Sequence, residues 1–177
     1  MNKRIKRDCI CHSHHDSNAP PPNPRSLRVG IVGAGSIAFG TASLAASLGH
    51  DPMIWSPSGA STQQELPIDD GDDDDGDGDK GCRSFQIQST GALAHEFTVR
   101  IARSPKELVQ CNDNVLVVAL PVNGHRKVME ELAPEIVQLI EEKQHMMHII
   151  ISSHASLGAV YFLQLLQEER RKYLLLR

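Results

Sequence analysis

The sequence has few cysteines and no long apolar run, and these absences exclude several classes of protein. Its four cysteines follow no regular spacing, so a small secreted domain held by disulfides is not expected. The longest strongly apolar run, residues 115–122, is far shorter than the roughly 20 residues that a membrane-spanning helix needs. The basic first residues are not followed by the apolar stretch of a signal peptide. We therefore expect a soluble cytoplasmic protein without a membrane partner.

The net charge of −4 conceals two opposite local excesses. Residues 1–28 contain six basic and two acidic residues, whereas residues 69–80 contain eight aspartates and one lysine. The rest of the chain is close to neutral, so its charge indicates neither nucleic-acid nor membrane binding. Nucleic-acid binding through the basic tail is therefore the least favoured function, and we expect no nucleic-acid partner.

Composition divides the chain into a tail, one folded domain and an insertion within that domain. Residues 1–26 are polar and proline-rich, which predicts a disordered tail. Residues 27–172 alternate strand and helix patterns, which predicts an α/β fold of the Rossmann type, a doubly wound parallel sheet. Residues 56–84 are dominated by Ser, Pro, Gly and Asp and lack periodicity, so we expect a flexible acidic surface insertion.

The predicted domain contains five strands and the helices that connect them. Apolar patterning places the strands at residues 27–32, 52–55, 97–102, 114–120 and 148–152. The predicted helices cover residues 36–48, 105–110, about 124–143 with a restart at Pro134, and 157–171. Ser104 is placed to cap the second helix. Sheets of this kind bind ligands beyond the carboxyl ends of their strands, so we expect the functional residues there.

A glycine motif follows the first predicted strand and opens the first predicted helix. It reads Gly-Ala-Gly-Ser-Ile-Ala from Gly33 to Ala38, which matches the Gly-x-Gly-x-x-Ala pattern of dinucleotide sites. Gly33 would permit the tight turn, Gly35 would let a pyrophosphate approach the backbone, and Ala38 would let the helix pack closely on the strand. Ser36 and Ile37 would offer backbone N–H groups at the positive end of the helix dipole. A purely structural glycine turn is the alternative.

The position at which NAD-binding proteins usually carry an acidic residue has none here. That residue lies about 20 positions after the glycines and binds the ribose hydroxyls. The chain reads Trp-Ser-Pro-Ser from Trp55, without a carboxylate or an adjacent arginine. Ser56 and Ser58 can donate hydrogen bonds to a ribose hydroxyl or to a 2′-phosphate. The expected cofactor is thus NADP or NAD, and NADP is favoured because no carboxylate would repel its extra phosphate.

Four segments of the chain resemble one family of dehydrogenases. They start at Arg28 (Arg-Val-Gly-Ile-Val-Gly-Ala-Gly-Ser-Ile-Ala), Gly49 (Gly-His-Asp-Pro-Met-Ile-Trp), Ala119 (Ala-Leu-Pro-Val-Asn-Gly-His-Arg-Lys-Val) and Ile150 (Ile-Ile-Ser-Ser-His-Ala-Ser-Leu-Gly-Ala-Val-Tyr-Phe). Together they resemble the amino-terminal NAD(P)-binding domain of the opine (octopine/nopaline) dehydrogenase family. That family is related in fold to glycerol-3-phosphate and 6-phosphogluconate dehydrogenases. The Leu-Pro-x-x-x-His-Arg and Leu-Gly-Ala-Val-Tyr elements are its most specific features.

The resemblance implies an NAD(P)-dependent oxidoreductase that acts on CH–NH bonds. Its reaction would join an amino acid to a 2-oxo acid reductively, or reverse that step. The resemblance also places Leu120, Pro121 and Val122 at a strand end beside the nicotinamide ribose. His125 and Arg126 match a His-Arg pair that follows, and a solvated first helical turn is the alternative for both.

Members of this family continue into a helical carboxyl-terminal domain that supplies the substrate pocket and the catalytic histidine. This sequence ends at Arg177, so we expect a truncated domain that is inactive alone, and no catalytic residue is assigned. A small-molecule substrate would bind only with that second domain. The helix at residues 157–171 is apolar around nearly its whole circumference, which predicts an exposed patch where the second domain would dock or the chain would self-associate. A non-catalytic dinucleotide-binding or interaction module is the alternative function.

The candidate metal ligands do not form a site of recognised spacing. Asp73, Asp75 and Asp77 imitate the start of a calcium-binding EF-hand loop, but Ser84 occupies the position that needs a bidentate glutamate. The cysteines and histidines of the tail lack a second ligand pair at zinc-finger spacing. We therefore expect no metal site. His154 follows a predicted strand, where a ligand contact stays open.

Overall fold

The computed structural model describes residues 26–57, 83–143, 146–152 and 157–176, which fold into an α/β arrangement. The strands are β1 (Arg28–Val32), β2 (Asp51–Trp55), β3 (Arg83–Gln88), β4 (Glu96–Ile101), β5 (Val115–Val118) and β6 (His148–Ile151). The helices are α1 (Ser36–Ser47), α2 (Pro105–Cys111), α3 (Val122–Lys143) and α4 (Gly158–Leu175). The predictions for the tail, for most of the acidic insertion and for His154 concern residues outside the described ranges.

The six strands form one sheet in the order β3-β4-β2-β1-β5-β6. All neighbouring pairs are parallel except β3 and β4. When the five parallel strands are numbered by themselves in chain order, their spatial order is 3-2-1-4-5, which is compatible with a Rossmann-like fold. β1 lies in the centre, and the chain turns to opposite sides of it to form β2 and β5. In such sheets ligands bind beyond the carboxyl ends of the strands at the point where the strand order reverses, which here lies between β1 and β5, and we call this region the crevice.

The prediction of an all-parallel sheet of five strands is wrong at one edge. β3 pairs antiparallel with β4, with Phe85 opposite Val99 and Ile87 opposite Phe97. Residues 83 and 84, which we expected in the acidic insertion, belong to this strand. Because Arg83 lies opposite Ile101, β3 starts at the edge of the sheet where the parallel strands end.

Helices cover the sheet on both faces. On one face α1 packs its fully buried Ala38 and Ala42 on Ile31 and Ile54. On the other face α2, α3 and α4 share a core with Leu116 and the neighbouring strand residues. Burial on both sides is the physical reason why β1 and β5 are continuous apolar runs without alternation.

The helix boundaries confirm one sequence prediction and correct another. Ser104 caps α2, because the Glu107 N–H donates a hydrogen bond to its Oγ at 3.2 Å. The predicted restart at Pro134 is wrong, since α3 continues through this residue without a break. Proline removes one intrahelical hydrogen bond at a cost of about 3 kcal/mol. Burial of Leu132, Ala133 and Ile136 around it offsets that loss.

An ion pair joins β1 to the loop before β5 at the amino end of the sheet. Arg28 Nη2 lies 2.7 Å from Asp113 Oδ1, and the Arg28 N–H donates to Asp113 Oδ2 at 2.8 Å. Burial would raise the pKa of Asp113, but the hydrogen bonds and the charge of Arg28 outweigh burial and lower it.

Among the described residues, no helix combines the length and apolar character needed to cross a bilayer.

Candidate functional site

The turn between β1 and α1 is held against both neighbouring strands. The Gly33 N–H donates to the Trp55 carbonyl of β2 at 2.8 Å, and the Ala119 N–H donates to the Val32 carbonyl at 2.8 Å. Gly33 has a φ of 128°, and a Cβ at this position would lie 2.5 Å from the Ala119 carbonyl oxygen. Only glycine fits both the conformation and the contact. The structure therefore places the turn at the crevice between β1 and β5.

Gly35 differs from Gly33, because nothing within the described structure requires a glycine there. Its φ of −94° and ψ of 179° are extended values that any residue adopts. A Cβ built on Gly35 would meet no atom within 4 Å. The absence of a side chain at Gly35 thus leaves open space beside the backbone at the start of α1.

The first turn of α1 carries backbone donors that lie outside the hydrogen-bonded ladder of the helix. Gly35 is the N-cap, no side chain caps the helix, and no acidic residue lies in the first turn. The first intrahelical bond runs from the Phe39 N–H to the Gly35 carbonyl at 3.1 Å, so the amides of Ser36, Ile37 and Ala38 precede the hydrogen-bonded ladder. Such amides and the helix dipole together favour an anion. The start of α1 is thus able to bind an anionic group through its backbone.

Small and apolar residues determine how closely α1 approaches the sheet. Ala38 is fully buried against β1 and β2, which agrees with the expected role of a small third residue in the motif. Ser36 and Ile37 are exposed on the outer side of the same turn. The site therefore combines a buried packing residue with backbone groups accessible to a ligand.

The end of β2 lies beside the turn without adding an acidic group. Trp55 is only 4% exposed and packs in the core, while Ser56 is half-buried immediately after it. No carboxylate follows within the described part of this loop, which ends at residue 57. Ser56 is thus the described polar side chain next to β2 that a ribose could approach.

The residues after β5 border the turn from the other side. A Cβ on Gly33 would lie 3.2 Å from Leu120 Cδ2, so Leu120 packs over the turn. Pro121 and Val122 are exposed where α3 begins. The structure therefore brings Leu120 to the glycine turn, while Val122 lines a groove between α3 and α4.

His125 and Arg126 have different surroundings although they are adjacent in α3. His125 is 4% exposed, and its Nε2 lies 2.9 Å from the Leu120 carbonyl oxygen. Since a carbonyl only accepts, Nε2 carries the proton in this contact. The alternative of a solvated turn is therefore wrong for His125, whereas the Arg126 side chain is 82% exposed. His125 fixes the backbone that follows β5.

Arg126 belongs to a polar cluster that joins α3 to α4. Its Nε donates to Glu130 Oε1 at 2.9 Å, and the Tyr161 hydroxyl donates to the same oxygen at 3.1 Å. These bonds, first that from Arg126, lower the pKa of Glu130. Burial and the bond to Glu130 raise the pKa of Tyr161, so its hydroxyl stays protonated near neutral pH. At neutral pH these hydrogen bonds therefore link α3 to α4.

A groove of about 390 Å³ opens between the first turns of α3 and α4. It is lined by both segments on which the family resemblance depends most, including Val122, His125, Arg126, Leu157 and Tyr161. Glu130, which bridges the two helices, was not among the predicted residues. Its spacing of four from Arg126 was the available signal, but the contact with Tyr161 depends on tertiary packing.

Comparison with known proteins gives no family for this chain. No protein-family model matches it, no curated protein matches it, and no solved structure matches it. In the described ranges there is also no cluster of three potential metal ligands.

Proposed function

We propose that this chain is a dinucleotide-binding domain of an NAD(P)-dependent oxidoreductase. Gly35 is the single observation that carries the proposal. The packing explains Gly33 but gives no reason for Gly35, where both the backbone conformation and the space would accept a side chain. A diphosphate that approaches the backbone does give such a reason.

The proposal assigns a role to each part of the crevice. The N–H groups of Ser36, Ile37 and Ala38 bind the pyrophosphate, aided by the helix dipole. Ser56 donates a hydrogen bond to the adenosine ribose or to its 2′-phosphate. The order of the parallel strands, that of doubly wound nucleotide-binding sheets, supports this arrangement.

At the nicotinamide end, the exposed turn that starts α3 supplies the contacts. Leu120, Pro121 and Val122 border the ribose there, and His125 holds the Leu120 carbonyl in place. The cofactor supplies the hydride, and this chain contributes binding and orientation. NADP is favoured over NAD because the described end of β2 carries no carboxylate.

The reaction class rests on the resemblance to the opine dehydrogenase family. By that resemblance, the complete enzyme joins an amino acid to a 2-oxo acid at the expense of NAD(P)H, with the substrates bound by a second, helical domain. The groove lined by Arg126 and Tyr161 would lie toward that domain. In that division of roles, this domain binds the cofactor and the helical domain binds the substrates.

Titration with NADPH and NADH tests the binding step. The full chain should bind both, and binding should weaken at least about tenfold in Gly35→Ala, because the methyl group occupies the space next to the diphosphate. Gly40→Ala is the matched control. Gly40 lies in the same helix and its Cβ would also meet nothing within 4 Å, so binding should not change. ADP should compete with NADPH, whereas adenosine should compete poorly. An absence of NADPH binding would refute the proposal.

A second assay distinguishes the oxidoreductase from a non-catalytic module. The chain is mixed with NADPH, an amino acid and a 2-oxo acid, with and without a helical substrate domain from an opine dehydrogenase supplied in trans. Cofactor oxidation only with the added domain supports the enzyme, and binding without turnover in either mixture supports the module.

A further inference from the structure

Leu120 connects the glycine turn to the start of α3. Its side chain packs over the turn, because a Cβ on Gly33 would lie 3.2 Å from Leu120 Cδ2. The same side chain reaches the first turn of α3, since a Cβ on Gly124 would lie 4.0 Å from Leu120 Cδ1. Its carbonyl oxygen lies 2.9 Å from Nε2 of His125. A displacement of Leu120 would therefore alter the packing at the glycine turn.

Two hydrogen bonds fix the bend between β5 and α3. The first runs from Nε2 of His125 to the Leu120 carbonyl, and it is largely shielded from water because His125 is 4% exposed. The second runs from the Gly124 N–H to the Pro121 carbonyl at 2.9 Å. Only the first depends on a side chain. If that side chain lost its donor, the Leu120 carbonyl would lose this partner, and the bend would be free to shift.

Leu120 lies on one side of the glycine turn and Ser56 lies on the other. β2 and β5 pair with opposite edges of β1, and the two residues follow the ends of these strands. In dinucleotide sites the end of the second strand receives the adenosine ribose, so the nicotinamide half extends to the opposite side of the turn. Leu120 would therefore border the nicotinamide half, and the ADP half would lie away from it.

We infer that His125 is a positioning residue of the dinucleotide site, which acts through Leu120 and sets the fit of the nicotinamide half without touching the cofactor. This inference rests on the proposed function. A buried histidine that only stabilises the fold is the competing explanation. In that case, loss of the histidine would lower stability but leave both NADPH and ADP affinity unchanged in the folded protein. A positioning residue affects NADPH affinity and spares ADP affinity.

Calorimetric titration of the full chain with NADPH and with ADP tests the inference. His125→Leu keeps a buried side chain without a donor, so the dissociation constant for NADPH should rise about five- to tenfold. The dissociation constant for ADP should change by less than about twofold. His125→Gln should return NADPH affinity to within about twofold of wild type, because its amide nitrogen can donate to the same carbonyl.

Met129→Leu is the matched control. Met129 is fully buried and lines the same groove as His125, so this variant alters the core beside the histidine but keeps the hydrogen bond to Leu120. Both affinities should equal those of wild type. Circular dichroism confirms that each variant is folded at the temperature of the titration.

The outcomes separate this inference from the proposed function. Unchanged NADPH affinity in His125→Leu would overturn the inference alone, as would equal losses for NADPH and ADP, or no recovery in His125→Gln. A loss of NADPH affinity in Met129→Leu as large as that in His125→Leu would also overturn it. If wild type bound neither NADPH nor ADP, the inference and the proposed function would fail together.

Discussion

Replacing each glycine of the β1–α1 turn by alanine should separate stability from binding. In Gly33→Ala the left-handed backbone becomes strained by about 1–3 kcal/mol. The new Cβ also lies 2.5 Å from the Ala119 carbonyl oxygen, a backbone atom that moves only with β5. We expect a loss of about 3 kcal/mol or more in the free energy of unfolding.

Gly35→Ala should have almost no effect on stability. The reduced entropy of the unfolded chain contributes about 0.4–1 kcal/mol, and the poorer N-cap removes a similar amount. The free energy of unfolding should therefore stay within about 1 kcal/mol of wild type, while NADPH affinity falls. Each variant adds one methyl group, and the two positions are two residues apart. Gly33→Ala should lower stability, whereas Gly35→Ala should lower the affinity for NADPH.

The single tryptophan makes the measurement direct. Trp55 is buried and its carbonyl accepts the Gly33 N–H, so its fluorescence reports both urea unfolding and events at the turn. Calorimetric titration with NADPH gives the affinity of each folded variant. If Gly33→Ala were as stable as wild type, the tight packing of residue 33 on the Ala119 carbonyl would be ruled out. Full NADPH affinity in Gly35→Ala would mean that no diphosphate approaches that backbone.

Three other substitutions test the scaffold around the site. Asp113→Asn should destabilise the fold by no more than about 1 kcal/mol at pH 7, because the ion pair is partly exposed. The pKa of Asp113 is lowered in the folded state, so its contribution to stability is present above the unfolded pKa and is lost as the pH falls through the folded pKa. The free energy of unfolding measured in urea should therefore change less between pH 7 and pH 3 in Asp113→Asn than in wild type. An equal change in both proteins would contradict the assignment. His125→Ala should cost about 1–3 kcal/mol, because it leaves the Leu120 carbonyl without this donor, and an unchanged denaturation midpoint would rule out that role. Leu132→Ala should cost about 2–5 kcal/mol in the same assay, and a smaller loss would mean that α3 closes the cavity.

Local signals in the sequence predicted the parts of the fold that depend on local chemistry. The buried strands were recognisable as apolar runs, and Ser104 was recognisable as a cap because it precedes a proline at a helix start. The turn was predicted because a positive φ requires glycine, whatever surrounds it. These elements need few long-range contacts to be identified.

The missed elements depend on partners distant in the chain. β3 alternates polar and apolar residues over only six positions, and its Phe85 and Ile87 are held by pairing with β4. Pro134 indicated a helix break, but the core around Leu132 and Ile136 overrides the local preference. Glu130 meets Tyr161 through the packing of α3 on α4. No periodic pattern in the sequence predicts that contact.

The antiparallel β3 has a consequence for the chain between residues 57 and 83. That stretch departs from the end of β2 and rejoins the sheet at Arg83, and both points are on the side of the glycine turn. Only β4 separates the two strands, so a gap of about 10 Å must be bridged. A few residues could span it, and many can be accommodated, without altering the strand order. The scaffold therefore offers a grafting point next to its own crevice, at which peptides of different length and charge can be exchanged.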